Sequence, residues 1–293
     1  MMKKRWLINL VLLLLVAGLG VFVTTRDKPV ETGKQRYPVA AFDPAAVTHL
    51  SLEQSTKKPV VFEKRNGRWM MLEPVKGRAD AVSIGRILAI ANADSADRFA
   101  LEDPAKYGLD TPQIRVKMDD KVFEYGMFNP IGGEQFVAHA GQVFSVATTY
   151  AEMASTQPLE LLDKHPLDRD EEIVGFDFAA LEQWESSRLQ VDLQEDGKWK
   201  VSAAAAKPDQ NAMNEWFKEW QALEATAVEP FTPDRAPHPF AVAKLKNGKK
   251  VRLIKMQESP ELLLVREDEG MQYHFPQDVG FNILNPPVGF KPE

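Results

Sequence analysis

The five histidines are the side chains of this sequence best suited to bind a metal or to transfer a proton. They are His49, His139, His165, His238 and His274. No two of them lie at the i, i+4 spacing that would place two ligands on one face of a helix, and the chain has no cysteine. The spacing therefore predicts structural or surface histidines, with no metal site and no cofactor. The absence of cysteine also excludes disulfides and thiol catalysis.

Two other segments resemble motifs that carry chemistry. Residues 55–58 have the S-x-x-K spacing of a serine nucleophile, but the S-D-N and K-T-G sequences that accompany this motif are missing. Residues 129–133 contain two glycines but lie between two strand patterns, whereas a phosphate-binding loop precedes the N-terminus of a helix. Both segments are predicted to be turns.

The aromatic residues Trp216, Phe217 and Trp220 are candidates for a binding face. Trp216 and Trp220 align at helical spacing with Met213 and Leu223, which is typical of a stripe that faces a core. The carboxylates are too numerous and too scattered for spacing to select an acid–base pair. The sequence therefore predicts no catalytic residue.

Charge is distributed unevenly along the 293 residues. The formal net charge is −6, of which residues 1–28 contribute +4, so residues 29–293 carry −10. Nucleic acids and anionic lipids both bind to clustered lysine and arginine. An acidic body therefore argues against nucleic acid or an anionic bilayer as its main partner.

The N-terminus has the pattern of a membrane anchor. Three basic residues, Lys3, Lys4 and Arg5, precede an apolar run over residues 6–23. Eighteen residues in a helix span about 27 Å, close to the hydrocarbon thickness of a bilayer. Residues 1–23 are therefore predicted to be a cytoplasmic start and a single transmembrane helix in the inner (cytoplasmic) membrane. The basic cluster places the N-terminus in the cytoplasm and the body in the periplasm or another extracytoplasmic space.

The alternative interpretation of this segment is a cleaved signal peptide. Gly18-Leu19-Gly20 has the small-x-small pattern of a cleavage site, but residues 21–23 extend the apolar run beyond it, which favours an uncleaved anchor. Residues 24–37 are polar and include a proline and a glycine, so they are predicted to be a tether.

Four stretches of the sequence recur in the same order in the second half of the chain. Their offsets lie between 127 and 134 residues, so the gaps between the copies are small. The pairs are 42–47 with 176–181, 66–69 with 196–199, 116–118 with 243–245, and 143–146 with 272–275. These matches predict a duplication, with a first α+β repeat over residues 38–165 and a second over 166–293.

Each repeat has the same predicted plan. A strand pair comes first, turning at Asn66-Gly67 or at Asp196-Gly197, and Gly197 is expected in the left-handed region of a three-residue loop. A helix follows, over about residues 80–93 or 211–225, and then several antiparallel strands. The fold class expected is α+β, with two similar units that each pack helix on a mostly antiparallel sheet. Trp69 and Trp199 are expected to superpose.

An acidic segment connects the two repeats. Residues 160–185 contain nine carboxylates and only two basic residues. The pattern favours an exposed connection, and a cation site is the alternative.

Several local motifs resemble the bacterial domain-of-unknown-function family 4340. They are the N-G-x-W sequence at 66–69, the Ala79-Asp80 pair that opens a helix, and the sequence Tyr107-Gly108-Leu109-Asp110-Thr111-Pro112. The second copy keeps Trp199 but has Arg235-Ala236-Pro237-His238 in place of the Tyr-Gly-Leu-Asp run. Members of this family are often encoded beside ABC-type transporter components. The resemblance implies an accessory role in the cell envelope and supplies no catalytic residues.

Three functions are compatible with the sequence. The first is a non-enzymatic, membrane-anchored envelope component that docks on envelope or transporter proteins. The second is a membrane-tethered module that binds a small or lipidic ligand. The third is an enzyme, such as a hydrolase, with an active site that the spacing of residues does not reveal. Docking is favoured because each candidate nucleophile, metal site or phosphate-binding loop is better explained as a structural feature.

Overall fold

The structure is a computed structural model that describes residues 35–203 and 206–289. The unit that begins at Pro38 contains two large antiparallel sheets.

The first sheet has nine strands, and the turn at Asn66-Gly67 joins two of them. Both turn residues have a positive φ, 51° and 81°, as a tight hairpin turn requires. From one edge to the other, the strands are Gly77–Arg78, Arg68–Glu73, Val60–Arg65, His49–Gln54, Ile114–Met118, Lys121–Asn129, Glu134–His139, Gln142–Ala147 and Arg98–Ala100.

The second sheet has eight strands. From edge to edge they are Trp199–Val201, Gln190–Leu193, Ile173–Ala180, Phe240–Leu245, Lys250–Gln257, Glu261–Arg266, Met271–Pro276 and Ala227–Pro230. This order is the same as that of the first sheet once the short edge strand Gly77–Arg78 is left aside. Two further strands of two residues, Tyr37–Pro38 and Asp94–Ser95, lie outside the two large sheets.

Four α-helices occur in the described residues. They are α1 (Ala81–Leu88), α2 (Thr149–Ala154), α3 (Gln210–Gln221) and α4 (Gln277–Leu284). Helices α1 and α2 contact each other and the first sheet, whereas α3 and α4 contact each other and the second sheet. An aspartate caps the N-terminus of α1 and of α3. Asp80 accepts a hydrogen bond from Ser83 N, and Asp209 accepts hydrogen bonds from Asn211 N and Ala212 N.

The prediction of an α+β fold headed by a transmembrane helix is wrong. Antiparallel strand dominates the described residues, where the α-helices are only 6 to 12 residues long. The helix predicted over 80–93 ends at Leu88 and continues as a 3-10 turn, Ala89–Asn92. Among the described residues, no helix is long and apolar enough to cross a bilayer. The predicted anchor, residues 1–23, and residues 24–34 of the predicted tether lie outside them. The boundaries predicted for the two repeats remain a prediction.

The core confirms the interpretation of the aromatic stripe. Trp216, Phe217 and Trp220 are buried and pack around Phe176 of the second sheet, with ring centroids 4.7 to 5.8 Å apart. The acidic connection differs from its prediction, because residues 173–180 of it form a central strand of the second sheet. Apolar residues inside the segment are buried in the core, whereas Asp170, Glu172 and Glu182 stay exposed.

Candidate functional site

Arg78 is the centre of a buried polar network between the two sheets. It lies on the edge strand Gly77–Arg78 of the first sheet and is almost completely buried. Its Nη1 donates to Asp163 at 2.9 Å, its Nη2 donates to the Tyr273 hydroxyl at 3.1 Å, and its Nε pairs with Glu269 at 3.0 Å. Nη2 also donates to the His165 carbonyl. One guanidinium therefore joins the first sheet, the connecting segment and the second sheet.

Arg266 makes the matching contacts from the second sheet. Its two terminal nitrogens donate to both carboxylate oxygens of Glu171, at 2.6 and 2.7 Å, and Nη1 donates to the Pro166 carbonyl. Its Nε donates to Asp268 at 2.9 Å and lies 3.4 Å from Glu269. A bidentate pair of this kind fixes position as well as charge. Glu269 thus contacts both buried arginines.

Burial and the neighbouring arginines shift the pKa of the network's carboxylates in opposite directions, and the outcome differs between Glu269 and Glu171. Burial raises the pKa of Glu269 above the ordinary value of a glutamate, although both arginines oppose this effect. Burial also acts to raise the pKa of Glu171, but the hydrogen bonds from Arg266 outweigh it and hold that pKa below the ordinary value. Burial raises the pKa of the Tyr273 hydroxyl, so that it stays a neutral hydrogen-bond partner.

The lowered pKa of Glu171 predicts a loss of stability in acid. A carboxylate whose pKa is lower in the folded state stabilises the fold above its unfolded pKa, about 4.3, and loses that contribution as the pH falls through the folded pKa. We expect Glu171→Gln to be less stable than the natural chain by a constant amount above about pH 5 and by a shrinking amount below about pH 4. Urea unfolding at a series of pH values measures this difference. A difference that stays constant down to pH 3 would contradict the assignment.

A cleft of about 150 Å³ opens beside the network. It is lined by the hairpin residues Arg68 and Trp69, by the N-terminus of α1 at Asp80, and by the connecting segment at His165 and Arg169. A second cleft, of about 360 Å³, adjoins the first and shares Asp80, His165 and Arg169 with it. The two clefts together form a polar surface around His165.

The acidic groups of the cleft are already engaged. Asp163 pairs with Arg78 and also lies 2.7 Å from His165 Nδ1, and Asp168 pairs with Arg68 at 2.7 Å. Asp80 accepts the backbone N–H of Ser83. The guanidinium of Arg169, in contrast, has neither an ion pair nor a hydrogen bond within the described part of the chain.

Of the five histidines, only His165 lines this cleft. Each of the others contacts a carboxylate or an aromatic ring. The contacts are His49 with Asp119, His139 with Phe123, His238 with Asp234, and His274 with Glu229 and Glu261. Within residues 35–203 and 206–289, no group of three metal-ligating side chains comes together. The segment 55–58 lies between two strands, as its interpretation as a turn predicts.

A second candidate feature is the apolar end of one hairpin in the first sheet. Strands Lys121–Asn129 and Glu134–His139 meet there, and beyond Tyr125 the first of them no longer pairs with Ile114–Met118. Ile131 at the turn is 97% exposed, Phe128 is 51% exposed and Met127 is 44% exposed. We call these three residues the apolar tip. Large apolar side chains at the exposed end of a hairpin are a candidate interaction surface.

The glycine-bearing turn at the apolar tip has no helix behind it, as its interpretation as a turn predicts.

More than half of the chain, residues 69–241, matches the family described as a domain of unknown function, DUF4340. The chain belongs to the DUF4340 family. No curated protein and no solved structure matches the chain.

The DUF4340 match covers some candidate features and not others. It includes Trp69, Arg78, the connecting segment and the apolar tip, and it ends before Arg266. The sequence predicts none of these residues as a site, and for Arg78 and Arg266 the reason is that their partners lie far away along the chain. The 66–69 motif that carries the resemblance does, however, end at Trp69, which lines the cleft.

Proposed function

We propose that this DUF4340 protein is a non-enzymatic, membrane-associated envelope component that acts by docking on another protein. The observation that carries the proposal is the apolar tip, where Ile131 is exposed almost as fully as in an unfolded chain. Burying three large apolar side chains against a partner would contribute several kcal/mol to binding, at about 25 cal/mol per Å² of apolar surface.

The hairpin that carries the tip is held firmly at its base. The Gln135 amide donates to the Gly126 carbonyl, and Gly108 lies so close that a side chain there would come within 2.9 Å of Met127 N. Tyr107 packs its ring on Phe136 at 5.1 Å. A projection that is ordered before binding loses less entropy on binding, which favours affinity.

The charges around the apolar tip favour a protein over an anionic bilayer. The loop that contacts Met127 through Gly108 spans residues 102–110 and carries three carboxylates and one lysine. Glu134 adds a further negative charge just after the turn. An acidic rim repels anionic lipids and complements a basic rim around an apolar pocket. The partner proposed is therefore a protein with such a pocket.

The family resemblance supports an envelope protein, or a component of an ABC-type transporter, as that partner. The basic start and the apolar sequence over residues 6–23 support membrane association, with the body in an extracytoplasmic space. Attachment at the membrane would raise the concentration of the apolar tip near membrane partners.

Docking is tested by photo-crosslinking from the apolar tip in intact cells. A photoreactive amino acid placed at Ile131 should give one adduct of defined mass, which contains a membrane or envelope protein identified by mass spectrometry. Phe128→Asp should reduce its yield at least tenfold by placing a charge in the apolar contact. The matched control is the same photoreactive group at Ser259, in the equivalent and polar hairpin of the second sheet.

Two results would overturn this proposal. One is an equal yield from positions 131 and 259, which would mean that the adduct reflects proximity and not docking. The other is a set of adducts with lipid alone, accompanied by binding of the purified protein to neutral phosphatidylcholine vesicles that Ile131→Asp abolishes. That result would assign the apolar tip to the bilayer.

A further inference from the structure

Trp69 and Trp199 occupy equivalent positions in the two sheets, but their indole N–H groups differ. Each lies on the strand that follows the turn at Asn66-Gly67 or at Asp196-Gly197, and both residues are more than nine-tenths buried. Trp199 Nε1 donates to Asn214 of α3 at 2.7 Å. The Trp69 indole N–H has no hydrogen-bond partner in the described part of the chain.

The missing partner has a specific cause. The N-caps Asp80 and Asp209 align α1 with α3, and the buried residues Ile84, Ile87 and Leu88 then match Met213, Trp216 and Phe217. In this alignment Gly85 takes the place of Asn214. A side chain on Gly85 would meet open space, since no atom lies within 4 Å of its Cβ position. The first sheet therefore keeps the tryptophan but lacks the side chain that satisfies it.

The unpartnered N–H belongs to a residue that lines the 150 Å³ cleft. It is not sealed from solvent, because Ser145 Oγ is the one side-chain polar atom that is both inaccessible and unpartnered among the described residues. The Arg169 guanidinium is a second donor without a partner at the same cleft. Asp80, Asp163 and Asp168 each already hold a hydrogen bond or an ion pair, whereas these two donors hold neither.

We propose that this cleft binds a small molecule through an oxyanion, a carboxylate or a phosphate, held between the Trp69 indole N–H and the Arg169 guanidinium. Both donors suit an oxygen acceptor, and guanidinium binds either group in a bidentate manner. The ring of Trp69 and the small residues Ala79 and Ala81 give the ligand an apolar wall. This assignment is independent of docking by the apolar tip.

Indole resonances of the full-length, ¹⁵N-labelled protein test the proposal directly. Sodium acetate and inorganic phosphate are titrated separately, with sodium chloride at matched ionic strength as the reference. The Trp69 N–H resonance should move and saturate with at least one of the two anions, while that of Trp199 stays in place. The anion of higher affinity identifies the group that the cleft prefers.

Variants separate this site from a general effect of salt. Arg169→Gln should weaken the affinity about tenfold, as expected for the loss of a charged hydrogen bond. Gly85→Asn should abolish binding without unfolding, because it supplies the partner that Asn214 gives Trp199. Asn214→Gly is the matched control: it leaves Trp199 unpartnered but without an arginine beside it, and no saturable shift is expected there.

The proposal is overturned if the Trp69 resonance moves no earlier in the titration than that of Trp199. Saturable binding that survives both Gly85→Asn and Arg169→Gln would also overturn it, since the ligand would then lie elsewhere. Loss of the dispersed spectrum in Arg169→Gln would leave Gly85→Asn, on an exposed helix face, as the deciding variant.

Discussion

Replacing Arg78 by methionine should lower the free energy of unfolding by about 3–5 kcal/mol, the range measured when one partner of a buried ion pair is removed. Methionine fills much of the same space, so the loss comes from charge and hydrogen bonding. Glu269 and Asp163 would keep their burial but lose the guanidinium that compensates it. The Tyr273 hydroxyl and the His165 carbonyl would lose a donor as well. Urea unfolding of the full-length protein measures the change.

A surface arginine provides the matched control for this result. Arg115 pairs with Glu53 and Glu124 across neighbouring strands, and its side chain is 38% exposed. Arg115→Met should cost no more than about 1 kcal/mol, as exposed pairs do. Adding Glu269→Gln to Arg78→Met should recover part of the loss, because it removes a buried carboxylate that is left with only its longer ion pair, 3.4 Å from Arg266. Equal losses from Arg78→Met and Arg115→Met would show that the network does not hold the two sheets together.

The parts of the fold that follow from local rules could be predicted. Hairpins at Asn66-Gly67 and Asp196-Gly197 form where the turn residues require a positive φ, and Gly197 adopts the left-handed conformation expected of it, with φ 78°. The spacing of apolar residues overestimates the helical content. Residues 89–92 continue the helical spacing of α1 but form a 3-10 turn, because tertiary packing overrides the local preference for an α-helix.

The candidate site could not be predicted in the same way. Arg78 and Glu269 are 191 residues apart, and nothing in their spacing indicates that they meet. The acidic connection is expected to be exposed when its charges are counted without their partners, yet Glu171 pairs with the buried Arg266 and its side chain is only 13% exposed. One signal was available in the sequence. Aligning the two helices by Asp80 and Asp209 shows that Gly85 replaces Asn214. Because Asn214 is the partner of the Trp199 indole N–H, the replacement indicates that the indole N–H of Trp69 lacks such a partner.

Helix α4 ends in an arrangement that only the tertiary structure supplies. The carbonyls of its last residues have no partner within the helix, as at every helix C-terminus. Three indole N–H groups satisfy them: Trp216 donates to Asn282 O at 2.8 Å, Trp220 to Ile283 O at 2.9 Å, and Trp184 to Leu284 O at 3.0 Å. The tryptophans therefore contribute both apolar packing and the cap of a neighbouring helix.

Replacing Trp220 by alanine should lower the free energy of unfolding by about 3–5 kcal/mol, because Trp220 is fully buried and its removal leaves a cavity against Phe176. Trp220→Phe separates the two contributions of the side chain. It keeps most of the packing but leaves Ile283 O without a donor, so we expect a loss of about 1–3 kcal/mol. Urea unfolding followed by circular dichroism measures both changes, and faster amide exchange at the end of α4 should accompany the phenylalanine variant. If Trp220→Phe were as stable as the natural chain, water would be replacing the indole at the carbonyl, and the cap would contribute nothing to stability.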